Sequence, residues 1–280
     1  MVKTNMQKDK RPVVAICYDF DKTLSPDDMQ NYSLIPETGK TTKEFWEECD
    51  RIAKENEMDS ILAYMYKIIK EGAIESNSLR LTRKAFNKHG KTIKLFNGVR
   101  TWFNRIEKIA SERNVEIEHY VISAGIKEII EGTKIAKNFK KIFASTFYYN
   151  KKTELAEWPA QVVNATTKTQ HLFRISKNAL DLSDEVKVHK AIGEDKIRIP
   201  FTNIIYIGDS ITDVPAMKIV TKQGGTSIGV YNPENGLNSN LEDLKRDKRI
   251  SYFAPADYSK GSEIERIITE VVDGVNKKTC

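Results

Sequence analysis

The feature that most constrains the fold is a set of short apolar runs separated by stretches with helical periodicity. The runs are rich in β-branched residues and bounded by turn residues, which is typical of strands buried on both faces of a parallel sheet. The runs are Val13–Tyr18, Ile117–Ile122, Asn203–Ile207 and Thr226–Val230. Strands that alternate with helices indicate an α/β protein with a doubly wound parallel sheet.

The predicted helices lie between and after these runs. Their apolar residues recur at three- and four-residue spacing, as on one face of a helix. They are Val99–Arg113, Ile126–Lys137, Lys168–Leu180, Val214–Gln223 and Glu263–Val275.

One connection is far too long for a simple crossover. About ninety residues, from Ser25 to roughly Val115, separate the first two strands, whereas such connections are usually short. The helices predicted within it are Thr42–Asn56, Asp59–Glu71 and Ser78–His89. We expect residues 26–95 to form a helical cap domain inserted into a core domain of residues 1–25 and 96–280. Helices that only decorate the core are the alternative.

A second irregular region extends over about 142–165. It alternates tyrosines with polar residues around the turn-like segment Asn150–Lys152. Alternation is typical of strands, and a polar turn between two alternating segments favours a hairpin. We therefore predict a small β-hairpin flap on the core domain.

The composition narrows the class of protein. Of the 280 residues, 40% are hydrophobic and 30% are charged, as in ordinary globular proteins. The net charge of +6 is spread along the chain, so we do not expect nucleic acid as a partner. The widely separated Cys17, Cys49 and Cys280 indicate neither a disulfide framework nor a zinc site, and no apolar run has membrane length. We expect a soluble, cytoplasmic protein that has no membrane partner; the sequence does not indicate its oligomeric state.

Two carboxylates follow the first predicted strand. Asp19 and Asp21 lie in the segment DFDKT at 19–23. Ligands of open α/β sheets bind beyond the carboxyl ends of the strands. One carboxylate there can attack a phosphorus atom and form an aspartyl-phosphate, and the other can act as general acid and base. An acidic turn with a capping Thr is the structural alternative.

Two more carboxylates follow a later strand. Asp209 and Asp213 belong to the segment GDSITD at 208–213. Mg²⁺ prefers hard oxygen ligands, which carboxylates from two strand ends would supply. Asp213 could also serve as a helix N-cap ahead of Pro215. Asp209 has no comparable structural role, so a functional role is the better interpretation for it.

Two weaker signals lie between these segments. Ser123–Gly125 ends the second strand and is expected to open a helix, where backbone N–H groups can bind phosphate, although Ser is also a common N-cap. Lys168 begins a predicted helix, where a cation opposes the macrodipole at a cost of about 0.3–1 kcal/mol. That position is better explained if the ammonium reaches an anion. Lys177, more than two turns further along, is the alternative.

The order DFDKT, Ser123, Lys168, GDSITD resembles the haloacid-dehalogenase-like hydrolase superfamily, and is most similar to its phosphoserine-phosphatase-like branch. The resemblance covers the core and not the insertion. It implies a Rossmann-like core with a helical cap over the site. It also implies a Mg²⁺-dependent phosphatase that acts on a small phosphorylated metabolite through an aspartyl-phosphate.

The resemblance implies a role for each motif residue. Asp19 would be the nucleophile. Asp21 would be the general acid and base, with its backbone carbonyl on the metal. The phosphoryl group would be bound by Ser123, Ala124 and Lys168. The metal ligands would be Asp19, Asp21, Asp209 and Asp213.

Some alternatives stay open. The charged stretch Asp181–Arg198 makes the gap between Lys168 and Asp209 longer than is usual in the family, so Lys168 and Lys177 both remain candidates. Asp21 favours a phosphatase over a dehalogenase, which has no leaving oxygen to protonate. The remaining alternatives are a phosphotransferase, a nucleic-acid-end phosphatase and a non-catalytic binding module on the same fold.

Overall fold

The computed structural model describes residues 11–191, 193, 196–209, 211–236 and 239–279. The strands are β1 Val13–Tyr18, β2 Glu116–Ile126, β3 Lys141–Tyr149, β4 Ala156–Gln161, β5 Ile204–Gly208, β6 Thr226–Tyr231 and β7 Tyr252–Pro255. The α-helices are α1 Met29–Tyr32, α2 Thr42–Glu55, α3 Ser60–Gly72, α4 Arg83–His89, α5 Val99–Ser111, α6 Lys127–Glu131, α7 Lys168–Ser176, α8 Glu185–His189, α9 Val214–Lys222, α10 Ser239–Arg246 and α11 Glu263–Thr279.

The strands form one sheet in the order β4-β3-β2-β1-β5-β6-β7. All neighbouring pairs are parallel except β3 and β4, which are antiparallel. The chain builds one half of the sheet outward from β1 and then the other half from β5. The carboxyl ends of β1 and β5 therefore flank the switch point of strand order, where ligands of such sheets bind. The predicted doubly wound α/β fold is confirmed.

The central strand β1 is buried on both faces of the sheet. Successive side chains of a strand point to opposite faces. Val14 and Ile16 accordingly join one apolar cluster, and Ala15 and Cys17 join the other. The first charged side chain after the strand, Asp19, therefore emerges at the carboxyl edge of the sheet.

The helices α1 to α4 occupy the long connection between β1 and α5. Thr41 caps α2 through a capping box, and Asp59 caps α3, so a side-chain cap fixes the start of each helix. The apolar faces of these helices, including Phe45 and Met65, join the same cluster as one face of β1. The insertion thus packs on the core. Its division from the core as a domain of residues 26–95 stays a prediction.

The predicted hairpin is present as β3 and β4. Tyr148 lies opposite Trp158 across the pair. The strand β3 also pairs in parallel with β2, so the hairpin grows out of the main sheet.

Several elements differ from the predictions. The helix expected at Ile126–Lys137 is wrong in extent, because β2 continues to its first residue and α6 is short. The backbone of Gly132, just after α6, packs against Asn87, where a Cβ would lie 1.9 Å from the carbonyl oxygen. The helix expected at Ser78–His89 is α4, which begins only after its N-cap Thr82. The strand β7 and the short helices α1, α8 and α10 were not predicted.

In the described part of the chain, no helix has the length and hydropathy needed to cross a membrane. Cys17 and Cys49 are buried free thiols, and Cys280 lies outside the described residues.

Candidate active site

The strand β1 delivers Asp19 to the switch point. The amide of Asp19 donates to the Ile207 carbonyl at 2.8 Å, so pairing between β1 and β5 continues one residue past β1. The Phe20 carbonyl then accepts hydrogen bonds from the amides of Thr23 and Leu24. This tight turn ends the strand and leaves Asp19 only 6% exposed.

Asp21 is directed toward the insertion. Its Oδ1 accepts a hydrogen bond from the amide of Met29, the first residue of α1, at 2.8 Å. The Met29 side chain packs against Gly125, where a Cβ would lie 2.1 Å from its terminal methyl. Burial raises the pKa of Asp21 well above its usual range, and the charges of Asp28 and Asp19 raise it further. The second carboxylate is therefore held between core and insertion in a setting that favours its protonated form.

Asp213 turns its carboxylate into the site. Its Oδ1 accepts hydrogen bonds from Lys168 Nζ at 2.6 Å and from the Tyr206 hydroxyl at 2.7 Å. Although Asp213 immediately precedes α9, its side chain makes no capping hydrogen bond to that helix. Gly208 permits this arrangement, because a Cβ there would lie 2.5 Å from Asp213 Cγ. The N-cap alternative for Asp213 is thus not supported.

Lys168 is the cation of the site. It is the first residue of α7 and is 1% exposed. Its Nζ lies 2.6 Å from Asp213 Oδ1 and 3.2 Å from Asp19 Oδ2. These ion pairs account for a lysine at a helix start, where the macrodipole opposes it. Lys177, at the other end of α7, instead donates to two backbone carbonyls at the end of α8. The structure therefore brings Lys168, and not Lys177, to the carboxylates.

Ser123 and Ala124 lie at the adjacent end of β2. Because Tyr18 pairs with Val121, Ser123 lies beside the residues that follow β1. Its hydroxyl accepts a hydrogen bond from the amide of Gly125 at 3.1 Å. The prediction that a helix opens at Ser123 is wrong. The strand β2 continues through an irregularity in its pairing with β3, and α6 begins only after β2 ends.

Burial and repulsion set the electrostatics of the remaining carboxylates. Burial raises the pKa of Asp19 to about 7; the charge of Asp213 also raises it, and Lys168 opposes the shift. Burial raises the pKa of Asp209 to about 8, with the charges of Asp213 and Asp19 adding to the effect. Burial lowers the pKa of Lys168, but the charges of Asp19 and Asp213 outweigh it and raise that pKa overall.

The acidic side chains fit a divalent cation. Asp19, Asp209 and Asp213 each offer an oxygen, and the three oxygens lie within 4.8 Å of one another. Three carboxylates beside the ammonium of Lys168 leave an excess of negative charge that a cation would neutralise. Hard oxygen donors are the ligands that Mg²⁺ prefers. The carboxylate of Asp21 is not part of this group, so its predicted metal contact rests on its backbone carbonyl.

Some groups at the site were missed by the sequence reasoning. Tyr206, which donates to Asp213, lies in an apolar strand and resembles any core aromatic residue. Met29 contributes a backbone amide, which no residue type reveals. Gly208 was detectable, because a glycine ahead of an acidic segment permits close approach. Ser210, in the same segment, lies outside the described residues.

Several solved structures share this fold. A hydrolase of the haloacid dehalogenase family from Salmonella enterica serovar Typhi is 17% identical, with a TM-score of 0.58, over 92% of this chain and 70% of that one. A probable phosphoserine phosphatase from Vibrio cholerae is 12% identical, with a TM-score of 0.56, over 97% and 69%. A substrate-bound phosphoserine phosphatase is 15% identical, with a TM-score of 0.54, over 92% and 97%.

The sequence itself has relatives along its length. An uncharacterized protein of Borreliella burgdorferi is 28% identical over 292 aligned residues, which cover 94% of this chain and 98% of the relative. The family model of haloacid dehalogenase-like hydrolases matches residues 16–218, a span that contains every site residue described above. The chain therefore belongs to the haloacid dehalogenase-like hydrolase family.

Proposed function

We propose that the protein is a Mg²⁺-dependent phosphatase that hydrolyses a small phosphomonoester through an aspartyl-phosphate. The observation that carries the proposal is the meeting of Asp19, Lys168, Asp209 and Asp213 in one group at the switch point. A carboxylate nucleophile, an ammonium and oxygen ligands for a metal together suit transfer of an anionic phosphoryl group. The phosphoserine phosphatases among the fold neighbours support the same class.

Asp19 and Asp21 divide the chemistry. An Asp19 oxygen attacks phosphorus while the bond to the leaving oxygen breaks, and Asp21 gives that oxygen its proton. The raised pKa of Asp21, caused by burial and then by the charge of Asp28, favours the protonated form that this step requires. Asp21 then takes a proton from water, whose oxygen attacks phosphorus, so that phosphate leaves and Asp19 is regenerated.

The charge that develops on the phosphoryl oxygens requires donors close by. We assign this role to the Lys168 ammonium, helped by the Ser123 hydroxyl and the backbone of Ala124. A bound Mg²⁺ supplies further positive charge to these oxygens. Its predicted ligands are Asp19, Asp21, Asp209 and Asp213.

A small phosphorylated metabolite is the substrate class that the burial of the site favours. Asp19, Ser123 and Lys168 are all at most 6% exposed, so a phosphoryl group must enter a confined space to reach them. Asp21 and Asp209 are less deeply buried, which indicates the side of the site where the rest of the substrate lies.

A surface groove favours the second candidate, a nucleic-acid-end phosphatase. The groove has a volume of about 850 Å³ and is lined in part by Arg83, Lys84 and Lys151. The hairpin that contributes to it also exposes Tyr148 and Trp158, by 51% and 71%. Exposed aromatic and basic side chains suit single-stranded nucleic acid. A panel of phosphorylated metabolites, with oligonucleotides carrying a 5′ or 3′ phosphate, separates the two candidates.

Hydrolysis of p-nitrophenyl phosphate tests the reaction class. We expect Mg²⁺-dependent release of p-nitrophenol that EDTA abolishes. Asp19→Asn should lower turnover by roughly a thousandfold or more, because the nucleophile is lost. Asp50→Asn, the same change at an exposed position on α2, is the matched control. Undiminished turnover in a folded Asp19→Asn protein would contradict the proposal.

The covalent intermediate is tested with Asp21→Asn. Because p-nitrophenolate leaves without a proton, attack by Asp19 should persist while activation of water is lost. We therefore expect phosphate on the peptide containing Asp19 when the variant is quenched rapidly in acid and examined by mass spectrometry. Turnover without a phosphorylated Asp19 peptide would argue against the aspartyl-phosphate.

A further inference from the structure

A carboxylate of the insertion contacts the core close to Lys168. Asp59 is the N-cap of α3, and its Oδ1 accepts hydrogen bonds from the amides of Ile61 and Leu62 at 2.9 and 3.3 Å. Its Oδ2 accepts a hydrogen bond from the Asn164 side-chain amide at 2.9 Å. One oxygen of Asp59 thus caps the helix while the other crosses to the core.

Asn164 organises the turn that starts α7. Its Oδ1 accepts hydrogen bonds from the Thr167 amide at 3.0 Å and the Thr166 hydroxyl at 3.1 Å. The backbone amide of Asn164 donates to the Thr167 hydroxyl at 2.7 Å. Its carbonyl accepts the hydrogen bond of the Lys168 amide at 3.0 Å. The orientation of Asn164 therefore fixes the backbone from which the Lys168 side chain extends.

The same helix of the insertion reaches the other segment predicted to bind phosphate. The Tyr64 hydroxyl, on α3, donates to the Ala124 carbonyl at 2.7 Å. The helix α3 thus contacts the backbone at Ala124 and, through Asp59, the turn that precedes Lys168. Asp59 caps α3 and Tyr64 lies within it. The position of α3 on the core is therefore linked to the geometry of the backbone at Ala124 and of the turn before Lys168.

We propose that Asp59 and Asn164 are positioning residues, which align Lys168 with Asp19 when α3 is seated on the core. The contact makes the insertion a contributor to the rate of phosphoryl transfer, in addition to any part it has in binding substrate. The kinetic side of this inference rests on the proposed function, whereas the structural coupling between Asp59 and the Lys168 turn does not.

The test exchanges the two side chains. An asparagine at 59 has one carbonyl oxygen and cannot both cap α3 and accept from Asn164, so Asp59→Asn breaks the contact. Asn164→Asp also breaks it, because two carboxylates then face each other. The double variant Asp59→Asn/Asn164→Asp restores a donor and an acceptor with their positions exchanged and with the original net charge.

With p-nitrophenyl phosphate as substrate, each single variant should lose about tenfold to a hundredfold in kcat with little change in KM, since a small misplacement of a catalytic group has effects of that size. The double variant should recover most of this loss. Asp184→Asn is the matched control, because Asp184 caps α8 through the Lys187 amide. Wild-type kcat in the single variants, or no recovery in the double variant, would overturn the inference.

Hydrogen exchange gives a readout that does not depend on activity. Amides of 164–170 should exchange faster in both single variants, by roughly tenfold, and return toward the wild-type rate in the double variant. Unchanged exchange in the single variants would overturn the inference even in an inactive protein. Absence of hydrolysis by the wild-type protein, with exchange behaving as expected, would contradict only the proposed function.

Discussion

Among the described residues, Lys168 is the only one whose ammonium contacts both Asp19 and Asp213. Lys168→Met keeps an unbranched side chain that is one heavy atom shorter, and it removes the charge. We expect turnover of p-nitrophenyl phosphate to fall by about a hundredfold or more, because a charged donor to the transferring group is lost. Lys177→Met is the matched control and should stay within about twofold, since its ammonium donates to carbonyls at the end of α8, away from the carboxylates. Similar losses in both variants would contradict the assignment.

Single residues were predictable where their chemistry conflicts with their local structural role. Lys168 opposes the dipole of its own helix, and the sequence suggested no structural role for Asp209, so both residues indicated function. Tyr206 gave no such signal, because an aromatic residue in a buried strand is ordinary and only the fold shows its hydroxyl on Asp213. The contact between Asp59 and Asn164 was equally hidden, since both residue types are common in caps and turns.

At the level of elements, the end of β5 depends on a glycine. In Gly208→Ala the new methyl would lie 2.5 Å from Asp213 Cγ, and this short side chain is held by two hydrogen bonds. We expect loss of about 1–3 kcal/mol in the free energy of unfolding. The Mg²⁺ concentration for half-maximal activity should rise as well.

Gly274→Ala is the control for this change. Gly274 lies in α11 with open space where a Cβ would be added, so alanine there should raise stability by about 0.5–1 kcal/mol through helix propensity. Thermal unfolding and Mg²⁺ titration of activity measure both variants. A Gly208→Ala protein with wild-type stability and metal response would show that Asp213 can shift without consequence.

The elements themselves were predictable to different degrees. The strands β1, β2, β5 and β6 are buried on both faces, and their β-branched runs carry that signal directly. The edge strand β7 has four residues and ends in proline, so it falls below the length at which a pattern is visible. The helix predicted after β2 was too long, because the apolar spacing in the sequence continues past the end of α6. The close packing of Gly132 on Asn87 is a tertiary contact, which this spacing does not reveal.

For the whole molecule, strand order unites motifs that are distant in sequence. The sequence placed Asp19 and Asp209 at carboxyl ends of strands, and the adjacency of β1 and β5 brings them together. Their position destabilises the metal-free protein, because both carboxylates lose hydration and are repelled by the nearby charge of Asp213. The folded-state pKa values of about 7 and about 8, against an ordinary value of 3.8, express that destabilisation.

The sign of the resulting pH dependence follows from proton binding. Between the ordinary pKa and the raised ones, the folded protein binds more protons than the unfolded chain, so stability falls as pH rises through that range. The buried His119 and His171 act in the opposite direction, because burial lowers their pKa to about 3; their contribution ends above the ordinary histidine value of 6.5. The window of about pH 6.5 to 8.5 therefore isolates the buried carboxylates, which include Asp21, whose pKa is also raised by burial.

In EDTA, the midpoint of thermal unfolding should decline across this window, and Asp209→Asn should show a smaller decline because one titrating group is gone. Added Mg²⁺ binds the ionised carboxylates and stabilises the folded state, so the rise in midpoint that it causes should be larger near pH 8.5 than near pH 6.5. Differential scanning calorimetry of both proteins, with and without Mg²⁺, measures these changes. A Mg²⁺ effect that is independent of pH, or equal in Asp209→Asn, would mean that these carboxylates do not share a cation, and the excess negative charge at the switch point would need another explanation.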